Sequence, residues 1–379
     1  MRKILEILYK IYIEIRKKKN PLFKYSVKKQ KRILNTFKNP QNNIERSYYQ
    51  YCCQMKLNNR FIFFIMNILS IPLLIIYFFK KSDELKKEKK YDTIFMFKGM
   101  KDDIIPKKLK NNISSFLHIR DFKENFSKSD KKFFILLLKS YPFSWHFLLK
   151  CLIKIRFYSY IINSYTPNII IVSSEYSFTS SMLTTYCNIK GINHINVMHG
   201  EKLFDITDSF FCFNKCYVWD EHYIKLFLEL HAENTQFVVY HPKCLTLKKR
   251  GINKEKDYTY YLGGESRKNM LNIAKSLSIL KNKGYKISIR PHPLYSNIND
   301  IEKIFKDFQI EDNNKIDIET SILRTNNVIS LYSTVLYQAF LNEVPIVIDN
   351  ISNKKYYEKL KELEFICLRK KHTLLSKVL

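Results

Sequence analysis

Glycine is scarce in this chain, seven in 379 residues. That scarcity excludes collagen-like and glycine-rich flexible architectures, and it makes the one adjacent pair, Gly263–Gly264, conspicuous. Acidic residues are the second shortage: 35 Asp and Glu stand against 65 Lys and Arg, a formal charge of +30. Paired cysteine motifs are missing as well. Eight cysteines are scattered, with Cys52 beside Cys53 and Cys212 near Cys216, and only His222 lies close to the latter. Structural zinc needs four ligands at tight spacing, so no metal is expected and the thiols read as free, as in a reducing cytoplasm. No Asp-x-Asp motif stands at a strand end. The beginning of the chain lacks an uninterrupted apolar leader. Ile4, Leu8, Ile11 and Ile15 are interleaved with charge, which predicts a basic amphipathic helix rather than a secretory signal.

What is present begins with 46% apolar residues, enough to build real cores. Residues 1–40 carry thirteen Lys and Arg against Glu6 and Glu14, about a third of the excess charge in a tenth of the chain. The rest is spread thinly, as Lys among Asn and Ile, a pattern that an A+T-rich genome also produces. Basic residues interleaved with aromatics on one face would mark a nucleic-acid surface. None is found, so no specific nucleic-acid partner is expected, and a non-catalytic nucleic-acid-binding protein remains an alternative of a different class. An anionic membrane surface fits better, because Phe61–Phe79 is a nineteen-residue apolar run. Asn67, Ser70 and Pro72 interrupt it and basic residues flank both ends. A simple span, a re-entrant or in-plane hairpin broken at Pro72, and a buried helix pair packed on the body all suit such a run. Residues 1–90 are therefore read as a membrane-associating appendage. The expected location is the cytoplasmic face of a bacterial inner membrane, peripheral or with the single hydrophobic segment 61–79.

From Tyr91 the texture becomes short β-branched or aromatic runs alternating with helical periodicity. Strands are expected over 93–97, 116–119, 169–173, 194–198, 216–219 and 237–240, with helices over 133–162 (broken near Pro142), 179–188 and 221–230. A second set follows: strands over 258–262, 286–289, 328–330 and 344–348, and helices over 267–281, 298–308 and 335–341. This βαβ rhythm predicts an α/β fold of two Rossmann-like domains facing a cleft, 91–250 and 251–379.

Polar motifs fall where these strands end, the edge at which open α/β sheets hold ligands. Gly263 and Gly264 end a strand before a helix, so their amides and the helix dipole can hold an anion. Arg290-Pro291-His292-Pro293 ends the next; the prolines fix the backbone, and a guanidinium beside an imidazolium suits a phosphate. Ser330, Ser333 and Thr334 place hydroxyls at a strand end and a helix start, where they serve either a phosphate or the helix as N-caps. In the first half, Ser173-Ser174-Glu175 and His199-Gly200-Glu201 follow strands. Glu175 is a candidate general base, with His199, Glu201 and Asp205 competing for that role on the acceptor side.

Taken in this order, the motifs resemble the GT-B glycosyltransferases that build bacterial surface polysaccharide with CMP-activated acidic sugars, the sialyltransferases and Kdo transferases of capsule and lipopolysaccharide. The resemblance rests on His292–Pro293 and on Ser330, Ser333 and Thr334, and extends to His199–Gly200 and Tyr217-Val218-Trp219-Asp220. It implies an inverting, metal-independent transferase with no cofactor, in which those residues engage the CMP phosphate, His292 helps the nucleotide leave, and a glycan or lipid-linked precursor accepts the sugar. The two acids followed by glycine that such sialyltransferases carry do not occur here, which leaves the base open. The same order resembles the CDP-glycerol and CDP-ribitol phosphotransferases of teichoic-acid synthesis, the alternative reaction.

Overall fold

In each half of the chain, short apolar runs such as Ile169–Val172 and Ile346–Ile348 form strands buried on both faces, the signature of parallel sheets covered by helices. The computed structural model describes residues 25–57, 60–85, 90–96, 104–111, 113–119, 122–249 and 251–379. The amphipathic start expected over 4–15 and the end of the first strand at Phe97 lie outside them. The chain divides into two units. One comprises the residues up to His199 together with Phe204–His241; the other comprises Gly200–Leu203 and Pro242–Leu379.

The first unit holds strands β1 (Thr93–Phe95), β2 (Phe116–His118), β3 (Ile169–Val172), β4 (Asn193–Val197), β5 (Lys215–Val218) and β6 (Phe237–Val239). They pair in the order β2-β1-β3-β4-β5-β6, all in parallel. The second holds β7 (Lys256–Tyr261), β8 (Ile287–Arg290), β9 (Gln309–Ile310), β10 (Thr325–Ser330), β11 (Ile346–Ile348) and β12 (Thr373–Leu374). Its order is β12-β11-β10-β7-β8-β9, again all parallel. Counted from its own first strand, this is the doubly wound 3-2-1-4-5-6 arrangement, whose switch point lies between β7 and β10. The chain thus forms an α/β fold of two Rossmann-like units, each with an all-parallel six-stranded sheet.

The helices start and stop where local chemistry dictates. The helical stretch expected over 133–162 with a break near Pro142 is two helices, Lys128–Ser140 and Trp145–Tyr165. Ser127 and Asp130 form a reciprocal capping box at the start of the first, and Thr166, at φ 45°, turns the chain off the second just before Pro167. Arg267–Asn282 is capped by Ser266 and released by Gly284 at φ 90°. Side chains of this last helix close the core of the second unit, in which Ile273, Leu277 and Leu280 pack on Tyr260, Ile289, Ile329 and Val347.

The run 61–79 is a single helix, Arg60–Phe79, with Pro72 inside it. The hairpin broken at Pro72 is therefore corrected. A proline removes one ladder hydrogen bond, and here the flanking turns and the packing along one side carry the helix through it. The buried helix pair is corrected too, because most of the outward side of this helix is solvent-exposed.

Candidate functional site

The C-terminal ends of β10, β7 and β8, three neighbours in the second sheet, are tied to one another by side chains from the motifs. Ser330 at the end of β10 is fully buried and its hydroxyl donates to the Tyr261 carbonyl at the end of β7 (2.9 Å). Ser296, just beyond β8, accepts from the His292 amide (2.7 Å) and donates to the Gly263 carbonyl (3.3 Å). A Cβ on Gly264 would meet the Tyr295 Cβ at 3.5 Å, an ordinary van der Waals contact, so the β7 turn lies against the β8 loop without requiring glycine at this position.

Within this knot several groups read as phosphate ligands are already engaged by the protein. The Arg290 guanidinium donates to Glu311 Oε2 (2.9 Å) and to the Ile316 carbonyl (2.9 Å), and both charged side chains are nearly fully buried. Glu311 also accepts from Ser321 (2.5 Å) and Ser288 (3.4 Å). Arg290 is in this structure an internal clamp, because a buried guanidinium left without a carboxylate is costly. The Gly263 amide donates to both oxygens of Glu265 (2.9 and 2.7 Å), so the anion on the glycine turn is the chain's own carboxylate. Burial pushes the Glu265 carboxyl up, against the lowering effect of those backbone bonds. Ser333 is the N-cap of helix Thr334–Leu341, accepting from the Val335 amide (3.2 Å), and Thr334 is the first helical residue.

His292 remains as a half-exposed functional group. Its Nδ1 accepts from the Leu294 amide (3.1 Å), and its ring stacks on Tyr295 at 4.5 Å between centroids. Burial lowers its pKa, so the imidazolium expected beside Arg290 is replaced by a neutral ring. With Nδ1 accepting, the neutral ring carries its proton on Nε2 and is a hydrogen-bond donor there. Pro293 beside it is exposed.

In the first unit, Ser173 follows β3 and its hydroxyl is hydrogen-bonded to His199 Nδ1, which follows β4. Glu175 is buried; its Oε2 accepts from Asn196 Nδ2 (3.1 Å) and its carbonyl from Gln50 (2.8 Å). Asn196 also accepts from the Ser174 amide (2.8 Å), so one buried amide on β4 fixes the β3 strand end. Asp205 caps the short turn Ile206–Asp208 by accepting from the Thr207 amide (2.8 Å). Glu201 lies in Gly200–Leu203, which groups with the second unit, and its charge adds to burial in raising the Tyr332 phenol. A cavity of about 550 Å³ in the first unit lies at the opposite edge, among the strand starts Ile169, Asn193 and Lys215, away from all of these groups.

The structure therefore brings Gly263, Gly264, His292 and Ser330 together in one unit and Glu175 and His199 onto neighbouring strand ends in the other. Asn196, Glu265, Ser296 and Glu311 were not singled out from sequence. None of them left a distinctive signal there: Asn196 shares β4 with Asn193 and His194, so one more polar residue in that strand does not stand out. Among the described residues no group of three or more His, Cys, Asp or Glu side chains is placed to hold a metal ion.

No protein-family model matches the chain, and no curated protein does. Among solved structures it is similar to the UDP-GlcNAc 2-epimerase of Methanocaldococcus jannaschii, with UDP-GlcNAc and UDP bound, at 14% identity and TM-score 0.42, over 75% of this chain and 94% of that one. It is similar to the UDP-GlcNAc 2-epimerase of Neisseria meningitidis at 10% identity and TM-score 0.42, over 72% and 85%. A third likeness is to the wall teichoic acid polymerase TagF soaked with CDPG, at 13% identity and TM-score 0.41, over 84% and 86%. Likenesses at this identity and TM-score assign neither ligand nor reaction to this chain.

Proposed function

We propose that the protein is an inverting, metal-independent glycosyltransferase that moves a sugar from a nucleotide donor, CMP-linked and of the sialic acid or Kdo type, onto a cell-surface glycan or its lipid-linked precursor. The observation that carries this reading is the joining of the β10, β7 and β8 ends at the switch point of the second sheet, with a neutral His292 and a helix start beside them. In this reading the nucleotide phosphate takes hydrogen bonds from His292 Nε2–H and from the Ser333–Thr334 helix start. A carboxylate repels phosphate and accepts from hydroxyls, so Glu265 is assigned to the hydroxyls of the sugar or ribose.

In the reaction, the acceptor oxygen bonds to the anomeric carbon as the bond from that carbon to the phosphate oxygen breaks, and the nucleotide leaves with the bonding pair as its phosphate anion, which accepts a hydrogen bond from His292 Nε2–H. The acceptor proton goes to His199 Nε2. The hydrogen bond between His199 Nδ1 and the Ser173 hydroxyl orients the ring, which is what supports this assignment. Glu175, buried and bonded to Asn196, is assigned to holding that strand end. The Glu265 carboxylate would serve the hydroxyls of a polyol equally well, which favours transfer of a polyol phosphate from a CDP donor as the second reading.

Thermal-shift measurements on the full-length protein with CMP, CDP, UDP and GDP test the proposal. Ligand at 100 times its Kd stabilises by about 2.7 kcal/mol. The largest shift is expected with CMP. A larger shift with CDP supports the polyol reading, a preference for UDP removes the CMP-sugar assignment, and no shift with any of the four removes the nucleotide reading.

A further inference from the structure

The Arg60–Phe79 helix is inside out relative to a helix of a water-soluble protein. On the side packed against the body lie its polar residues. Asn67 donates to the Phe143 carbonyl (3.0 Å) and accepts from the His146 amide (3.0 Å), and Ser70 is buried, bonded to the Met66 carbonyl (2.7 Å). On the outward side Ile62, Ile65, Leu69, Ile76 and Phe79 are 39–77% exposed, with exposed Pro72 among them. The spacing of these positions, alternately three and four, makes one continuous apolar stripe along a helix of roughly 30 Å. A patch of that length on a chain soluble by itself would be exceptional.

We infer that this stripe is a bilayer-contacting surface and that the helix lies in the plane of an anionic membrane without crossing it. The contacts at both ends of the helix decide the orientation. Asn67 fixes the first half, and beyond the last turn Arg156, fully buried on the Trp145–Tyr165 helix, donates to the Lys80 and Lys81 carbonyls (3.1 and 3.2 Å). Arg156 is itself paired with buried Glu124 (3.1 Å), which also receives Lys80 (2.9 Å). Rings on the inner side complete the seam, with Phe63 against Tyr51 (5.8 Å) and Phe78 against Phe126 (5.6 Å) and Phe134 (6.0 Å). To span a bilayer the helix would have to leave this seam, giving up the Arg156 bonds to the Lys80 and Lys81 carbonyls and both Asn67 bonds, and carrying Asn67 and Ser70 into lipid while uncovering the rings of Tyr51, Phe126 and Phe134. Left in place, it offers lipid one side along its whole length.

Charge selects the occupant. The helix carries no acidic residue, Lys80 and Lys81 follow it, and the chain as a whole carries +30. A second copy with the same charge is repelled, whereas an anionic leaflet is attractive. The inference is independent of the transfer chemistry, and its test reads no activity.

The experiment is co-sedimentation of the full-length protein with phosphatidylcholine vesicles with and without phosphatidylglycerol, for the wild type and for the exposed-face variant Leu69→Asp/Ile76→Asp, whose folding is checked by circular dichroism. Binding is expected to require the anionic lipid and to fall at least about tenfold in the variant. Depth is read by brominated-lipid quenching of Ile62→Trp, Leu69→Trp and Ile76→Trp, corrected for the wild-type tryptophans. These positions are about 10 Å apart along the axis. Equal depths are expected; depths that differ by that spacing mean a spanning helix and overturn the inference. So does vesicle binding unchanged in the aspartate variant, or a lipid-free dimer that the aspartates dissociate, which would make the stripe a contact between copies.

Discussion

Arg290 offers the sharpest test of how the structure redistributes roles. Beside His292 in the sequence it reads as a phosphate ligand, yet in the fold it is bonded to Glu311 and Ile316. Glu311→Ala removes its carboxylate and at the same time the acceptor of Ser321 and Ser288, leaving a buried guanidinium with one carbonyl. Two unit charges about 4 Å apart at an effective dielectric of 20 attract by about 4 kcal/mol. Loss of one member of a buried pair costs about 3–5 kcal/mol by mutational experience. For a unit of this size 1 kcal/mol shifts Tm by about 3 °C, so the transition that reports the second unit should fall by roughly 12 °C in scanning calorimetry of the whole protein. Arg290→Ala should cost a similar amount. The double variant Arg290→Met/Glu311→Leu should recover most of the loss, because replacing both charges removes their desolvation penalty with them. The opposite pattern refutes the reasoning: single variants within about 2 °C of wild type that nonetheless lose nucleotide binding would make Arg290 a ligand and the ion pair incidental.

Two further outcomes follow from individual side chains. His292→Ala should lower transfer by about two to four orders of magnitude while leaving the circular dichroism spectrum unchanged, and near-normal turnover in that variant would sink the assignment. Burial holds His146 and His194 neutral, lowering them to about 4 and about 3, with Lys150 and Lys154 adding to the effect. The unfolded chain therefore binds more protons than the folded one below about pH 6.5. This stability is fully present above that pH and is lost as pH falls toward the folded values, roughly 1 kcal/mol for each histidine at pH 5.5. Urea titrations at pH 7.5 and 5.5 should show the loss, and His194→Asn should remove about half of it; a midpoint that does not move with pH contradicts the burial argument.

The alternation of apolar runs with helical periodicity was enough to read a βαβ fold in both halves, because parallel strands buried on both faces leave few alternatives for a run such as Ile169–Val172. It also placed His199, Gly263, His292 and Ser330 at or just beyond strand ends. The short strands β9 and β12 escaped, since two residues carry no periodicity. Which strand-end groups are spent inside the protein was equally illegible. Ser330 meets Tyr261 across 69 residues and Arg290 meets Glu311 across 21, and only the pairing of β7 with β10 and of β8 with β9 creates those neighbours. The apolar run 61–79 shows the division most plainly. Composition and helical period by themselves determined that Asn67 and Ser70 share one side and Leu69 and Ile76 the other. Only the tertiary structure decided that the polar side turns inward, because there Asn67 takes up the His146 amide, one of the first-turn amides that the Trp145–Tyr165 helix leaves without an intrahelical acceptor, together with the Phe143 carbonyl.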